Sequence, residues 1–260
     1  MKEALVHPTA IVHPGASLGD GCRIGPYSVV GEAVRLGRNC ELVSHAVVQG
    51  DTEVGEGCRF FPFCSIGLEP QDLKYKGEAT RVVIGSRNAF REFTTVHAGT
   101  AGGGGVTRIG DRNFFMASTH IAHDCQVGND TIFANAATLA GHVTVEDFAV
   151  IGAFSGVHQF CRIGSHAYIG GYSVITQDAL PFVLTVGNRA RAYGINLIGL
   201  KRRGFGSETI AGLRKAYRLL FHSKLTTTRA LARIEKDLGG IPEVAALASF
   251  IRSSERGIVK

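Results

Sequence analysis

The sequence predicts an all-β main domain, a left-handed parallel β-helix, followed by a small α-helical domain. The first observation is a six-residue repeat: a large apolar side chain returns at every sixth position over 6–66, 84–96 and 109–175. The second is that glycine often follows this side chain and a small residue often precedes it by two positions. The third is that the repeat ends near residue 188, where helical spacing begins. Three repeats build one triangular coil of about 18 residues, with the large side chains inside.

The repeat is strong enough to exclude chance, since its last run places twelve large apolar residues in succession. Coils should stack about 4.8 Å apart through backbone hydrogen bonds. We expect the repeat glycines to supply the unusual backbone angles of the corners.

The six cysteines all occupy the small inward position of the repeat. We interpret them as core residues, neither a disulfide framework nor a zinc site. They are Cys22, Cys40, Cys58, Cys64, Cys125 and Cys161. A nucleophilic role for Cys125 is a less favoured alternative, because its position points into the core.

The domain prediction places the β-helix at 1–188 and the helical domain at 189–260. In the second domain Ser207 should cap the first helix. A second helix should run from about Thr226 to Leu238, and Pro242 should open a third.

Charge divides along the same boundary. Residues 1–188 hold 13 Lys and Arg against 17 Asp and Glu, whereas residues 189–260 hold 15 against 5. The basic part suits an acidic protein partner or a phosphorylated ligand, and no recognition helix or aromatic-interleaved basic strand indicates nucleic acid. Because the chain lacks an apolar run of about 18 residues and a secretory signal, we expect a cytoplasmic protein with no membrane span.

Two insertions interrupt the repeat, at about 68–79 and 98–107, and they add 12 and 7 residues. A β-helix accepts extra residues only as loops at its corners. Both insertions open at the same edge of the prism, so we predict a cleft with loops beside it.

Histidines gather at this edge. Residues separated by three repeats are neighbours on successive coils, which aligns His97, His123, His142 and His158 to within one residue. The residues alone leave three interpretations open: acid–base catalysis, a zinc site, or a structural ladder. Catalysis is favoured because Asp124 adjoins His123 and can fix the tautomer of a base.

Five segments form a more specific pattern: QDLKYKGE, HIAHDC, NAATLAGHV, GVHQFC and GLKRRGF. With them the whole chain resembles the UDP-N-acetylglucosamine O-acyltransferases that begin lipid A biosynthesis. The resemblance implies transfer of an (R)-3-hydroxyacyl group from acyl carrier protein to the 3-hydroxyl of UDP-N-acetylglucosamine. It also implies a homotrimer with active sites between subunits, no cofactor and no metal. The basic second domain would then face the acidic carrier protein.

The resemblance assigns roles to particular residues. His123 would be the general base, Asp124 would orient it, and the backbone N–H of Gly141 would stabilise the oxyanion of a direct attack without an acyl-enzyme. Sugar and pantetheine contacts are implied for His120, His142, His158 and Gln159. Further sugar contacts are implied for Asp72, Lys74 and His97, and uridine and phosphate contacts for Asn196, Arg202 and Arg203.

Gly171 would lie at the floor of the acyl groove, where the absence of a side chain predicts a long donor chain. Two residues depart from the family pattern: Ile198 replaces a frequent acidic residue, and Ala98 replaces a frequent arginine. They affect expectations for the nucleotide and sugar contacts, not for the base.

Four alternatives remain at this stage. A related N-acyltransferase of the same pathway has an additional N-terminal domain, for which the early start of the repeat leaves no room. A variant that acylates a 3-amino sugar fits the same residues. A zinc-dependent lyase of the carbonic anhydrase type and a non-catalytic scaffold belong to other functional classes, and the loops and histidines disfavour the scaffold.

Overall fold

The protein forms a triangular prism whose three faces are almost entirely parallel β-sheets, followed by four short helices. The computed structural model describes residues 3–260. The chain passes through sheet 1, sheet 2 and sheet 3 in turn, and the predicted left-handed parallel β-helix is confirmed. Most strands contain two residues and are numbered β1 to β28 along the chain.

The three sheets contain 11, 9 and 8 strands. Sheet 1 consists of β1 (Leu5–Val6), β4 (Arg23–Ile24), β7 (Glu41–Leu42), β10 (Arg59–Phe60), β13 (Ala89–Phe90), β16 (Phe114–Phe115), β19 (Ile132–Phe133), β22 (Val150–Ile151), β25 (Tyr168–Ile169), β27 (Val183–Val186) and β28 (Arg191–Ile195). Sheet 2 consists of β2 (Ile11–Val12), β5 (Val29–Val30), β8 (Val47–Val48), β11 (Ser65–Leu68), β14 (Thr95–His97), β17 (His120–Ile121), β20 (Thr138–Leu139), β23 (Gly156–Val157) and β26 (Val174–Ile175). Sheet 3 consists of β3 (Ser17–Leu18), β6 (Arg35–Leu36), β9 (Asp51–Val54), β12 (Arg81–Ile84), β15 (Val106–Ile109), β18 (Gln126–Val127), β21 (Thr144–Val145) and β24 (Arg162–Ile163).

The register between coils follows the predicted repeat. Ile24, for example, is paired with Leu42, three repeats further along the chain. The sequence offset between partners widens where Phe60 pairs with Phe90 and again where Phe90 pairs with Phe115. The additional residues leave the prism after β11 and after β14, between sheet 2 and sheet 3. Apart from a one-residue bulge where Leu68 pairs with His97, the insertions leave the stacking of the coils in register.

Large apolar side chains fill the axis of the prism. Phe60, Phe90, Phe115 and Phe133 are fully buried and stack with ring centroids 4.8 to 5.1 Å apart. Burial of such side chains stabilises a protein by about 1.5–3 kcal/mol each. The repeat thus supplies one continuous core.

The cysteines are free and buried throughout residues 3–260, as predicted. Cys22, Cys40 and Cys58 each donate the thiol proton to a backbone carbonyl on a neighbouring coil at 3.1 Å. The column therefore satisfies its weak donors within the core.

The prediction that the repeat glycines supply the unusual backbone angles of the corners was wrong. The corner residue with positive φ is the third after the large apolar residue, and it is usually not glycine: Tyr27, Asn39 and His45 have φ between 50° and 57°. At Gly37, which directly follows a large apolar residue, a Cβ would lie 2.7 Å from the carbonyl carbon of Gly55 on the next coil. Glycine is needed there because adjacent coils approach too closely for a side chain.

The chain leaves the prism through the antiparallel pair β27 and β28 and ends in helices. These are α1 (Leu197–Arg202), α2 (Ser207–Phe221), α3 (Thr227–Leu238) and α4 (Pro242–Arg252). Their core begins at Leu180, so both sides of the predicted boundary at residue 188 contribute to it. No helix in the described part of the chain is both long and apolar enough to cross a membrane.

The predicted helix boundaries are largely confirmed. The Thr226 side chain caps α3 by accepting the backbone N–H of Arg229, and Pro242 opens α4. The capping role of Ser207 was wrong, since Gly206 is the N-cap of α2 and no side chain caps it. Helix α1 and the antiparallel pair were not predicted.

A substitution at Gly37 tests the close-packing explanation. We expect Gly37→Ala to destabilise the protein by about 1–3 kcal/mol, because an added methyl group must displace the backbone of the next coil. Asn39→Gly, two residues away, should cost much less, because glycine accepts positive φ freely. Thermal unfolding of both variants measures the difference, and equal destabilisation would contradict the explanation.

Candidate active site

Two loops and two corner turns meet where sheet 2 joins sheet 3, which we call the site corner. Residues 69–80 follow β11 and residues 98–105 follow β14 at this corner. His123 and Asp124 turn the chain between β17 and β18, and His142 turns it one coil later. Asp124 and His142 have φ of 59° and 62°, the corner conformation of this fold. Because they are one full coil apart in the sequence, one stacks above the other.

The carboxylate of Asp124 is the most enclosed polar group of the site. Its side chain is 0% exposed, against 14% for His123. Oδ2 lies 2.8 Å from His123 Nδ1 and accepts the Thr100 hydroxyl at 2.6 Å, while Oδ1 accepts the Thr100 backbone N–H at 2.9 Å. A carboxylate on Nδ1 favours the tautomer that leaves Nε2 free to accept a proton.

The imidazole of His123 lies against the backbone of Gly141. A Cβ at Gly141 would lie 2.6 Å from His123 Nε2, so this contact requires glycine. Within residues 3–260 the Gly141 N–H donates to no backbone carbonyl. The His123 ring thus packs against a backbone segment whose N–H has no carbonyl partner among these residues.

His142 completes the wall above His123. The two rings are perpendicular with centroids 5.1 Å apart, and His142 stacks on Phe160 at 4.4 Å. Burial lowers the pKa of His142, and the carboxylate charge of Asp124 partly opposes this. His142 is thus suited to act as a neutral hydrogen-bonding group.

His97 and His120 form a second pair on the adjoining strands. Their rings meet edge to face with centroids 5.2 Å apart, and His120 Nδ1 lies 2.7 Å from the Thr95 hydroxyl. Burial lowers the pKa of His97 and lowers that of His120 to about 4, with nearby histidines adding to the effect. His97 Nδ1 is buried and has no hydrogen-bond partner in the described structure, which is unusual for a polar atom.

Asp72, in the first loop, lies within electrostatic range of His142. Its charge acts on His142, where it raises the pKa against the effect of burial. Asp72 also accepts the backbone N–H of Lys74 at 2.9 Å. The Lys74 side chain is exposed.

His158 and Gln159 lie on the coil after His142 and are exposed. Arg256 Nη2 lies 3.1 Å from His158 Nδ1. His158 is thus connected to the C-terminal segment, whereas His97, His120, His123 and His142 form the two ring pairs.

Three further residues predicted to bind substrate lie at another corner, where sheet 3 joins sheet 1. Arg203 lies over the Phe148 ring at 4.3 Å and reaches the Asp130 carbonyl at 3.4 Å. Asn196 caps α1 and donates to the His166 carbonyl at 3.0 Å. Arg202 is exposed beside them. A single chain does not bring this group to His123.

Gly171 is exposed at the corner where sheet 1 joins sheet 2, between β25 and β26. It lies three coils above Ala117, the residue one repeat before His123. This height corresponds to about 14 Å along the prism. The rings of Phe154 and Tyr172 stack beside it at 5.1 Å. A Cβ at Gly171 would meet only backbone atoms of Ala153, the nearest at 3.2 Å.

Two alternatives from the sequence can be compared with this geometry. Cys125 is fully buried and donates to the Ala140 carbonyl at 3.2 Å, and burial raises its pKa to about 12, so a nucleophilic thiolate is disfavoured. His123, Asp124 and His142 offer donor atoms within 4.8 Å of one another, a spacing that could hold a metal ion. Two of these atoms, His123 Nδ1 and Asp124 Oδ2, already form a hydrogen bond with each other.

Sequence reasoning missed Thr100, Thr107 and Phe160. The Thr107 hydroxyl accepts the Asp124 backbone N–H at 2.8 Å. The only signal for the two threonines was their position at the ends of the second insertion. Phe160 could have been found from the sequence, because it lies one coil, 18 residues, after His142.

The chain is similar to known acyltransferases over nearly its whole length. The family model described as "Udp N-acetylglucosamine O-acyltransferase; Domain 2" matches residues 178–259, and "Bacterial transferase hexapeptide (six repeats)" matches 15–50 and 142–177. The acyl-[acyl-carrier-protein]–UDP-N-acetylglucosamine O-acyltransferase of Thermodesulfovibrio yellowstonii is 51% identical over 98% of this chain and 99% of its own. Among solved structures, LpxA of Acinetobacter baumannii is 45% identical with a TM-score of 0.96, covering 98% of this chain and 100% of its own. LpxA of Bacteroides fragilis, a UDP-N-acetylglucosamine acyltransferase, is 37% identical with the same TM-score and coverage.

Buried neutral histidines predict loss of stability in mild acid. Burial and the Arg203 charge lower the pKa of His166 to about 4, below the value of about 6.5 for an unfolded chain. Between these values the unfolded chain binds a proton that the folded chain does not, so the free energy of unfolding falls as pH falls from about 6.5 toward 4. His166→Asn, which tolerates the positive φ of this corner, should reduce that slope.

Chemical denaturation at pH 7 and pH 5 measures the effect in both proteins. A circular dichroism spectrum at pH 7 serves as the control for an intact fold. An identical loss of stability in wild type and variant would contradict the prediction.

Proposed function

Because the chain belongs to the family of UDP-N-acetylglucosamine O-acyltransferases, we propose that it transfers an (R)-3-hydroxyacyl group from acyl carrier protein to the 3-hydroxyl of UDP-N-acetylglucosamine. This reaction is the first step of lipid A biosynthesis. The observation that carries the proposal is the His123–Asp124 pair with the Gly141 backbone against its imidazole.

His123 acts as the general base in this proposal. Its Nδ1–H is donated to Asp124, so Nε2 accepts the proton of the sugar 3-hydroxyl as the sugar oxygen attacks the thioester carbonyl. The new C–O bond forms while the carbonyl oxygen takes up negative charge. Collapse of this oxyanion breaks the C–S bond, and the proton on Nε2 passes to the departing pantetheine sulfur. No covalent acyl-enzyme and no cofactor are required.

Asp124 and Gly141 stabilise the charges that develop. The buried carboxylate faces the imidazolium that forms at His123, and low exposure leaves this attraction little screened by water. The Gly141 N–H donates to the oxyanion; loss of one such donor typically costs about 10²- to 10³-fold in rate. The proposed reaction therefore needs only a base for the sugar hydroxyl and an N–H donor for the thioester carbonyl oxygen.

The remaining site residues position the substrates. We assign the sugar to Asp72, Lys74 and His97, and the region between sugar and pantetheine to His120, His142, His158 and Gln159. The orphan Nδ1 of His97 supports its assignment, because a sugar hydroxyl would satisfy it. Exposure of His158 and Gln159 suits contact with a long flexible donor.

The nucleotide is assigned to Asn196, Arg202 and Arg203, which lie at a different corner from His123. A homotrimer with active sites between subunits would unite the two corners, and we propose this assembly. Arg203 already contacts Phe148, whereas Arg202 is the more available partner for the diphosphate. Ile198 is 67% exposed beside them and offers no charge to the nucleoside.

Acyl carrier protein is the proposed donor protein, and the basic C-terminal part is its proposed contact surface. Residues 189–260 hold 15 Lys and Arg against 5 Asp and Glu. Arg214 and Arg218 lie one turn apart on α2 and line a cavity of about 280 Å³ with His222. Such a surface attracts an acidic protein.

Purified protein should acylate UDP-N-acetylglucosamine, and His123→Ala should lower the rate by about 10²- to 10⁴-fold because the general base is lost. The melting temperature should change little, since His123 lies at a partly exposed corner. An assay with a set of acyl carrier protein thioesters measures the transfer. The exposed His7 supplies a control, and His7→Ala should retain activity.

Two further results of this assay separate the alternatives. Acylation of only the 3-amino analogue of the sugar would indicate an N-acyltransferase. Activity lost on chelation and restored only by zinc would favour a metal-dependent lyase at His123, Asp124 and His142.

Gly171 should set the length of the accepted acyl chain. We expect wild type to prefer long donors of the 3-hydroxymyristoyl class and Gly171→Met to prefer shorter ones, because the new side chain would fill the groove beside Phe154 and Tyr172. Competition between donors of graded length measures the preference. Gly156→Ala is a useful control, since a Cβ there meets no atom within 4 Å. Unchanged selectivity in the Met variant would place the length limit elsewhere.

A further inference from the structure

The second insertion binds Asp124 from both of its ends. At the start of the insertion, Thr100 donates its hydroxyl to Oδ2 at 2.6 Å and its backbone N–H to Oδ1 at 2.9 Å. At its end, the Thr107 hydroxyl accepts the Asp124 backbone N–H at 2.8 Å. The loop thus contacts the carboxylate and the backbone of one residue.

Glycine within the insertion lets the loop cover the carboxylate. At Gly103 an added Cβ would overlap the carboxyl group of Asp124, and at Gly99 it would lie 2.8 Å from Oδ1. Gly102 differs, because a Cβ there would meet no atom within 4 Å. The backbone near residue 103 therefore lies directly against the carboxylate, whose side chain is fully buried.

The hydrogen bonds of Thr100 decide which histidine the carboxylate serves. Oδ2 lies 2.8 Å from His123 Nδ1 and 3.8 Å from His142 Nε2. The ionisable groups facing Asp124 are these two histidines and the thiol of Cys125, whose pKa the carboxylate helps to raise. Turning the carboxylate toward His142 would break the hydrogen bonds that both oxygens accept from Thr100.

We propose that Thr100 is a positioning residue for the general base and that the loop backbone at Gly99, Thr100 and Gly103 is a fixed cover that holds the Asp124 carboxylate on His123. This inference rests on the proposed function, because it requires His123 to act as the base. Thr100 acts through Asp124 and touches no substrate. A buried carboxylate needs donors to stay ionised, and charge-assisted hydrogen bonds of this length are the strong ones.

Thr100→Val removes the hydroxyl and keeps the backbone donor and the shape of the side chain. We expect kcat to fall by about 10- to 100-fold, the range for loss of a hydrogen bond to a charged group. KM for UDP-N-acetylglucosamine should stay unchanged, because the sugar contacts are intact. Thr100→Ser keeps the hydroxyl and should restore kcat.

A matched control is Thr52→Val. Thr52 is a fully buried residue of sheet 3, and its hydroxyl donates to the Gln49 carbonyl at 2.6 Å. This substitution should leave kcat unchanged even if it lowers the melting temperature. The glycine pair gives a second control: Gly103→Ala should reproduce the loss of kcat and Gly102→Ala should not. If Thr100→Val folds poorly, the comparison of kcat between these two glycine variants tests the inference in its place.

The decisive measurement combines Thr100→Val with Asp124→Ala. If Thr100 acts through Asp124, the double variant should turn over at the rate of Asp124→Ala alone. A further loss in the double variant, or wild-type kcat in both Thr100→Val and Gly103→Ala, would overturn the inference. Absence of acyl transfer by the wild-type protein would instead overturn the proposed function.

Discussion

The parallel register between coils, in which each residue pairs with the one a full coil further along the chain, is the constraint on which the rest of the structure depends. Each coil advances one strand spacing, so the number of a residue determines both its corner and its height. Asp124 and His142 meet because they occupy the same corner on successive coils. The close approach of coils also explains the repeat glycines, since a side chain at Gly37 would enter the backbone of the next coil.

A buried carboxylate is costly unless hydrogen bonds compensate it, and the candidate site is organised around such a group, the side chain of Asp124. The side chain of Asp124 is fully buried, whereas most corner residues of the β-helix are at least partly exposed. The regular coil offers few side-chain donors at that point, and the second insertion supplies them through Thr100. The insertion leaves the register intact because its additional residues depart at a corner. A regular scaffold thus acquires an irregular site at little cost to its core.

The division of the site between corners follows from the same geometry. The histidines lie where sheet 2 joins sheet 3, and the Arg203 cluster lies where sheet 3 joins sheet 1. A rigid prism cannot fold one edge onto another, so within one chain these two groups stay at separate corners. This rigidity supports intersubunit sites for a substrate that carries both a reacting sugar and a diphosphate.

The sequence by itself determined the coil, its core and the corner at which the two insertions and the candidate site lie, because a period of six residues translates directly into position on a prism. It identified the corner that carries His123 and Asp124, the buried cysteines and the places where the two insertions leave the prism. Only the tertiary structure decided that Thr100 and Thr107 bind Asp124, that Asn196 caps α1 and that Arg203 packs on Phe148. The physical reason is that insertions and the C-terminal segment have no repeat, so their contacts depend on loop conformation and on close packing between distant parts of the chain. The same limit explains the misjudged role of the repeat glycines, since the approach of two backbones is a property of the stacked coils and not of one repeat.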